Sequence, residues 1–253
     1  LSFRSKNVER EIWDGLRFGP AAAKKRFGFD EAWPIETLDE HLPKLLADQP
    51  ILFHAIASDA ALDARVRGWM TAVRAQSRAG IGSPVCSFDL HFLLDELRLI
   101  KDPDEIAIMR DSAVIAAEAH RRAMACTGPG IYEYQVEAAI LEVFQRHGAA
   151  APAYGSIVAG GANACILHYR ENDQRLRDGQ LLLIDAGCEL DGYASDITRT
   201  FPVNGQFSGP QRDVYEIVLA AQHAAERKTR PGRRFDEAHA AAVAVLAQGL
   251  IDL

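Results

Sequence analysis

Hydrophobic positions recur along this chain in two rhythms, and the switch between them divides it. Over residues 60–78, Leu62, Val66, Trp69, Met70 and Val73 fall at steps of three and four, one apolar stripe on a helix. The same period predicts a helix from Asp102 to about Cys126, with Ile106, Met109, Ala113, Ala116 and His120 along one side. A second covers 133–147, with Val136, Ile140, Val143 and Phe144 inward, and helices return over 211–228 and about 235–250. "PILFHAIAS" (50–58) reads as a buried strand and "SFDLHFLLDELRLI" (87–100) as a short helix. Beyond "APAY" the rhythm shortens. "SIVAGG" and "CILHY" read as two short strands around a glycine turn, followed by a polar loop over 170–179. "QLLLIDAGCEL" and "GYASDITRTFPV" then read as a hairpin around Asp191–Gly192.

The stretch "KDPDE" marks a boundary. Asp102 suits a helix N-cap, Pro103 the first helical position, and Asp104 and Glu105 complement the positive helix end. Residues 1–100 and 101–253 are therefore expected to be separate domains. The second contains an internal echo: helix, Thr-x-Pro-Gly, helix occurs at 116–144 and again at 219–246. Thr127, Pro129 and Gly130 align with Thr229, Pro231 and Gly232, 102 positions on. A duplicated second copy should continue into strands of its own, whereas the chain stops at a helix end.

Composition narrows the function. Hydrophobic residues make up 48% and charged residues 25%, normal for a globular enzyme. A net charge of −7 argues against nucleic acid or an anionic membrane as the main partner. No run is long and apolar enough to span a bilayer, and the charged opening "LSFRSKNVER" is unlike a secretory signal. The chain opens on Leu1 rather than Met, so preceding residues are expected in the natural protein. Cys86, Cys126, Cys165 and Cys188 contain no C-x-x-C pair, which favours reduced, mostly buried thiols in a cytoplasmic protein over zinc ligation.

The hairpin carries the chemistry. Asp185 ends the apolar run "LLLI", and Asp196 follows eleven positions later. A two-residue turn at 190–191 would set the two aspartates directly opposite each other, and one at 191–192 diagonally on the same face. A three-residue turn would separate them. Two carboxylates that close repel unless they share a proton or a cation. Three readings stay open: a proton-sharing dyad, two surface aspartates with salt bridges such as one from Arg199, or a site for two divalent metals. The uninterrupted "LLLI" suggests burial on both faces, where an unpaired carboxylate is costly and a cation is the natural partner.

"LIDAGCELDGYASDITRTFPVNGQFSGPQRDVY" resembles the first metal-binding segment of bacterial aminopeptidase P, a family of the pita-bread metallopeptidases together with prolidase and methionine aminopeptidase. The likeness extends to "CILHYRENDQRLRDG" and "RAMACTGPGIYEYQVEAAILEVFQRHGA", and more weakly to "KDPDEIAIMR" and "EIWDGLRFG". It implies an α/β (α+β) chain, with part of an N-terminal creatinase-like domain over 1–100 and the first part of a pita-bread catalytic domain over 101–253. Asp185 would chelate one metal and Asp196 bridge two. That oxygen-rich ligation suits manganese, with zinc or cobalt also fitting. His168 matches the family's substrate-site histidine, able to hydrogen-bond the peptide or stabilise an oxyanion; a satisfied core histidine is its bland alternative. Tyr169, Arg170 and Asn172 would shape the pocket around it. Thr198, two residues beyond Asp196, would orient a ligand through its hydroxyl. Trp13 would stand at a subunit contact or in the core.

The implied activity is hydrolysis of the first peptide bond before a proline, on a peptide substrate, by a self-associating enzyme. Prolidase action on dipeptides and a non-catalytic peptide-binding module are the alternatives. The family's remaining ligands, one histidine and two glutamates, have no counterpart here. Glu216, Glu226, Glu237 and His239 lie in unrelated contexts, so the chain is expected to be a fragment, inactive and weak in metal binding by itself.

Overall fold

The computed structural model describes residues 1–253, which form two compact units, Leu1–Ile100 and Lys101–Leu253. In the first unit β1 (Ser2–Phe3), α1 (Val8–Asp14), α2 (Gly19–Phe27), β2 (Trp33–Pro34) and α3 (Leu38–Leu46) precede β3 (Ile51–His54) and α4 (Ala60–Arg74), with β4 (Cys86–Asp89) and α5 (Leu90–Leu99) closing it. The stripe read on α4 is its core face: Val66, Trp69 and Val73 are buried, with Leu62 and Met70 packed against them. Asp59 caps α4 by accepting from Leu62 N at 2.8 Å. The segment 87–100 divides. Its first residues pair in parallel with β3 as β4, and Asp89 then caps α5.

The second unit comprises α6 (Pro103–Cys126), α7 (Glu133–Arg146), β5 (Ala151–Pro152), β6 (Ile157–Gly160), β7 (Leu181–Ala186), β8 (Cys188–Leu190), β9 (Tyr193–Ala194), β10 (Ile197–Pro202), α8 (Gly209–Lys228) and α9 (Phe235–Asp252). Asp102 and Glu105 complete a reciprocal capping box at the start of α6. Glu105 also accepts from the Tyr193 hydroxyl, which ties the helix start to the hairpin turn. The two Thr-x-Pro-Gly joints share a local structure. Thr127 Oγ donates to Ala123 O and Thr229 Oγ to Ala225 O, and Gly130 and Gly232 both take positive φ. The caps that follow echo as well: Gln135 accepts from Tyr132 N, and Glu237 from Arg234 N.

An antiparallel sheet, ordered β10-β7-β6, packs one face on α6 and α7. Leu182, Ile184, Ala186 and Val158 point to that core and meet Ile115, Ala119, Val136, Ile140 and Phe144. The inward face of α6 differs from the sequence expectation. Ala116 and His120 are buried, but Ile106, Met109 and Ala113 are exposed, and Ser112, Ile115, Ala119 and Ala123 take the remaining core positions. Close approach of helix to sheet selects small side chains, which a count of large apolar residues overlooks.

Burial of β7 on both faces is not observed. Its even-numbered residues are buried, while Leu181, Leu183 and Asp185 are half-buried on the opposite face. "CILHY" is not a strand: Gly161–Cys165 form a 3-10 turn, and Ile166 and Leu167 point outward. Of the cysteines only Cys188 is buried; all four are free. No helix is long and apolar enough to cross a membrane.

Candidate metal centre

Asp185 and Asp196 reach one point from the two arms of the hairpin. The turn is Asp191–Gly192, both at positive φ (47° and 86°), as a two-residue turn matched to strand twist requires. That register pairs Thr198 with Asp185 and sets Asp196 two residues earlier on the same face, the diagonal arrangement. Between β7 and β8, Gly187 lets the arms close. A Cβ there would lie 1.7 Å from Ser195 O, so glycine alone fits. Ser195 Oγ accepts from Cys188 N at 3.1 Å, fixing the residue just before Asp196.

Tyr154, which periodicity did not single out, stands over the pair. Its hydroxyl lies 2.6 Å from Asp185 Oδ1 and 2.9 Å from Asp196 Oδ1. The segment before it is pinned along β8, with Ala150 N donating to Glu189 O and Ala153 N to Gly187 O. Burial, then the hydrogen bonds to the two aspartates and their charges, raise the phenol's pKa well above its ordinary value. The phenol therefore keeps its proton, but it has one proton for two carboxylates. Arg199 turns instead to Thr198 O at 2.7 Å and forms no ion pair with either aspartate. The result is a surplus of negative charge on converging hard oxygens, the environment a divalent cation fits. No third His, Cys, Asp or Glu joins the pair as a ligand group.

The other sequence-selected residues are arranged differently. His168 lies on the exposed turn after Gly161–Cys165, without a side-chain hydrogen bond, so it is not a satisfied core histidine. Tyr169 is turned inward. Its ring is buried and its hydroxyl donates to Glu133 Oε2 at 2.8 Å. Burial, then the hydrogen bond to Glu133 and its charge, push that phenol up to about 12. Asn172, also buried, accepts from Val158 N and donates to Ser156 O and Glu137. Tyr169 and Asn172 thus anchor the loop and do not line an open pocket. Thr198 faces the site but makes no hydrogen bond to either aspartate. Trp13 is exposed on α1.

Comparison with known proteins identifies the family and the fold. The family model for metallopeptidase family M24 matches residues 107–252, and that for the aminopeptidase P N-terminal domain matches 1–53. The chain is 42% identical over 250 residues to an Xaa-Pro aminopeptidase of Escherichia coli and 44% over 253 residues to one of Haemophilus influenzae. These matches cover 99% and 100% of this chain but 57% and 56% of the relatives. The solved structure of Pseudomonas aeruginosa aminopeptidase PepP superposes with a TM-score of 0.95 at 47% identity, over 98% of this chain and 56% of that one. A variant of Escherichia coli aminopeptidase P in complex with substrate gives 0.95 at 42%, over 100% of this chain and 57% of that one. The chain therefore spans just over half the length of these proteins.

Proposed function

Because the chain belongs to metallopeptidase family M24 and has its pita-bread fold, we propose that the protein, at the full length of its relatives, is an Xaa-Pro aminopeptidase. It would release the first residue of a peptide whose second residue is proline. The single observation that carries this reading is the convergence of Asp185 and Asp196 on one phenol proton with no neutralising base. The relatives' names, Xaa-Pro aminopeptidase, supply the substrate class. On this reading 1–100 is the end of an N-terminal domain and 101–253 the first part of the catalytic domain.

Asp185 and Asp196 would hold divalent cations, manganese by the all-oxygen character of the donors. When bound, such cations supply Lewis acidity toward the scissile carbonyl and lower the pKa of water. Tyr154 orients the two carboxylates through its hydroxyl, and Thr198 stands beside Asp185 on the same face. His168, free of internal partners, would hydrogen-bond the peptide or the oxyanion that develops from its carbonyl. Self-association and a cytoplasmic setting belong to the same proposal.

Turnover of an Xaa-Pro-Xaa tripeptide by the manganese-loaded full-length protein tests it. Release of the first residue is expected. Cleavage of Xaa-Pro dipeptides alone would make the protein a prolidase, and binding without cleavage a peptide-binding module.

A further inference from the structure

The buried carboxylate of Glu133 has a role that its place in the first turn of α7 does not explain. A glutamate there ordinarily faces solvent and complements the positive helix end. Glu133 is instead completely buried, with no cation beside it. Four donors satisfy it, as a buried charge requires. Oε1 accepts from Gly160 N at 2.7 Å and Asn163 Nδ2 at 3.1 Å, and Oε2 from Tyr169 OH at 2.8 Å and Gln174 N at 2.9 Å.

The division of the donors is informative. Both partners of Oε1 precede His168 in the chain, and both partners of Oε2 follow it. One carboxylate therefore clamps the two ends of the turn on which His168 stands. The cradle is tight: a Cβ on Gly160 would lie 2.5 Å from Leu176 Cδ2 and 3.3 Å from Glu133 Oε1. Glu133 is held in turn, since its own N–H donates to Gln174 O at 3.0 Å. The His168 ring has no partner of its own, and its neighbours Ile166 and Leu167 are exposed. Within the turn Ile166 N donates to Asn163 O and Tyr169 N to Ile166 O, and Asn172 holds the following loop, but only Glu133 joins the two ends through one side chain.

We infer that Glu133 is a positioning residue for His168: its carboxylate gathers residues 160–163 and 169–174 around one point and so sets where the imidazole meets the peptide. The inference rests on the proposed peptidase reading. Misplacement of a reacting group by about 1 Å can lower a rate by up to about a hundredfold, so a clamp of this kind has leverage on turnover. Glu133→Gln keeps the shape, but it replaces one acceptor oxygen by a donor facing two donors. Tyr169→Phe removes a single hydrogen bond from the clamp and preserves the ring.

The test is a double-mutant cycle on the full-length, manganese-loaded protein, with kcat and KM measured on an Xaa-Pro-Xaa peptide. Glu133→Gln should lower kcat about tenfold in the wild-type background and less than about twofold beside His168→Ala. Tyr169→Phe should show the same coupling with a smaller effect, and it serves if Glu133→Gln fails to fold. Equal losses in both backgrounds would overturn the inference, leaving Glu133 merely structural. Backbone amide exchange separates this from the peptidase reading. Both variants should speed exchange of residues 162–174 at least about tenfold while α6 stays protected. Unchanged exchange there would sink the clamp even in an active enzyme. Accelerated exchange in a protein that cleaves no peptide would sink the peptidase reading while the clamp stands.

Discussion

The Tyr154 hydroxyl donates to Asp185 Oδ1 at 2.6 Å from a bend 31 residues away in the chain, and it reaches Asp196 at 2.9 Å from the same position. A phenol so placed orients carboxylates without adding charge of its own. Outer partners of this kind commonly govern metal affinity by one or two orders of magnitude. Tyr154→Phe should therefore weaken manganese binding about 10–100-fold in the full-length protein, read by titration calorimetry. Unchanged affinity would show that the hairpin alone sets the carboxylates.

Gly187 is required for its size and not for its chemistry. A methyl group at this position would place Cβ 1.7 Å from Ser195 O, so Gly187→Ala must force the two arms apart. Overpacking against backbone leaves little room to relax, so a loss of about 3 kcal/mol is expected. Urea denaturation measures it, and a loss below about 1 kcal/mol would mean that the arms separate freely.

Tyr169 gives a pH dependence with a defined sign. Its folded pKa is raised from the ordinary 10.0 to about 12, so its contribution is fully present below pH 10 and is lost as pH rises through 12. Stability should fall across that window, and the part due to this phenol should disappear in Tyr169→Phe. Denaturant midpoints taken in steps of pH, with absorbance at the phenolate band, follow both. Normal titration of Tyr169 near pH 10 would contradict the buried hydrogen bond to Glu133.

Much of this arrangement is legible in the residues alone. The apolar steps of α4 and α7 locate their core faces, and Asp102, Pro103 and Glu105 spell the start of α6. The parity of a two-residue turn puts Asp185 and Asp196 on one face whichever turn is taken, and the Asp191–Gly192 backbone selects the diagonal case. What stays hidden depends on tertiary context. Leu183 continues the apolar run of β7, yet it faces the smaller cluster of Ile157, Ala159 and Tyr169 and not the main core. "CILHY" has strand composition, but Gly161 at positive φ and the pull of Glu133 on Asn163 curl the chain before a strand can form. Tyr154 and Glu133 occupy a bend and a first helical turn, places where periodicity carries no information about long-range partners.

The aspartate pair is the foundation of the proposed cation site, and the metal content of the full-length protein measures that directly. Wild-type protein should carry two manganese ions per chain after equilibration, and Asp185→Asn and Asp196→Asn should each lose at least one while retaining the fold. Two ions kept by both variants would contradict the assignment of these carboxylates as ligands.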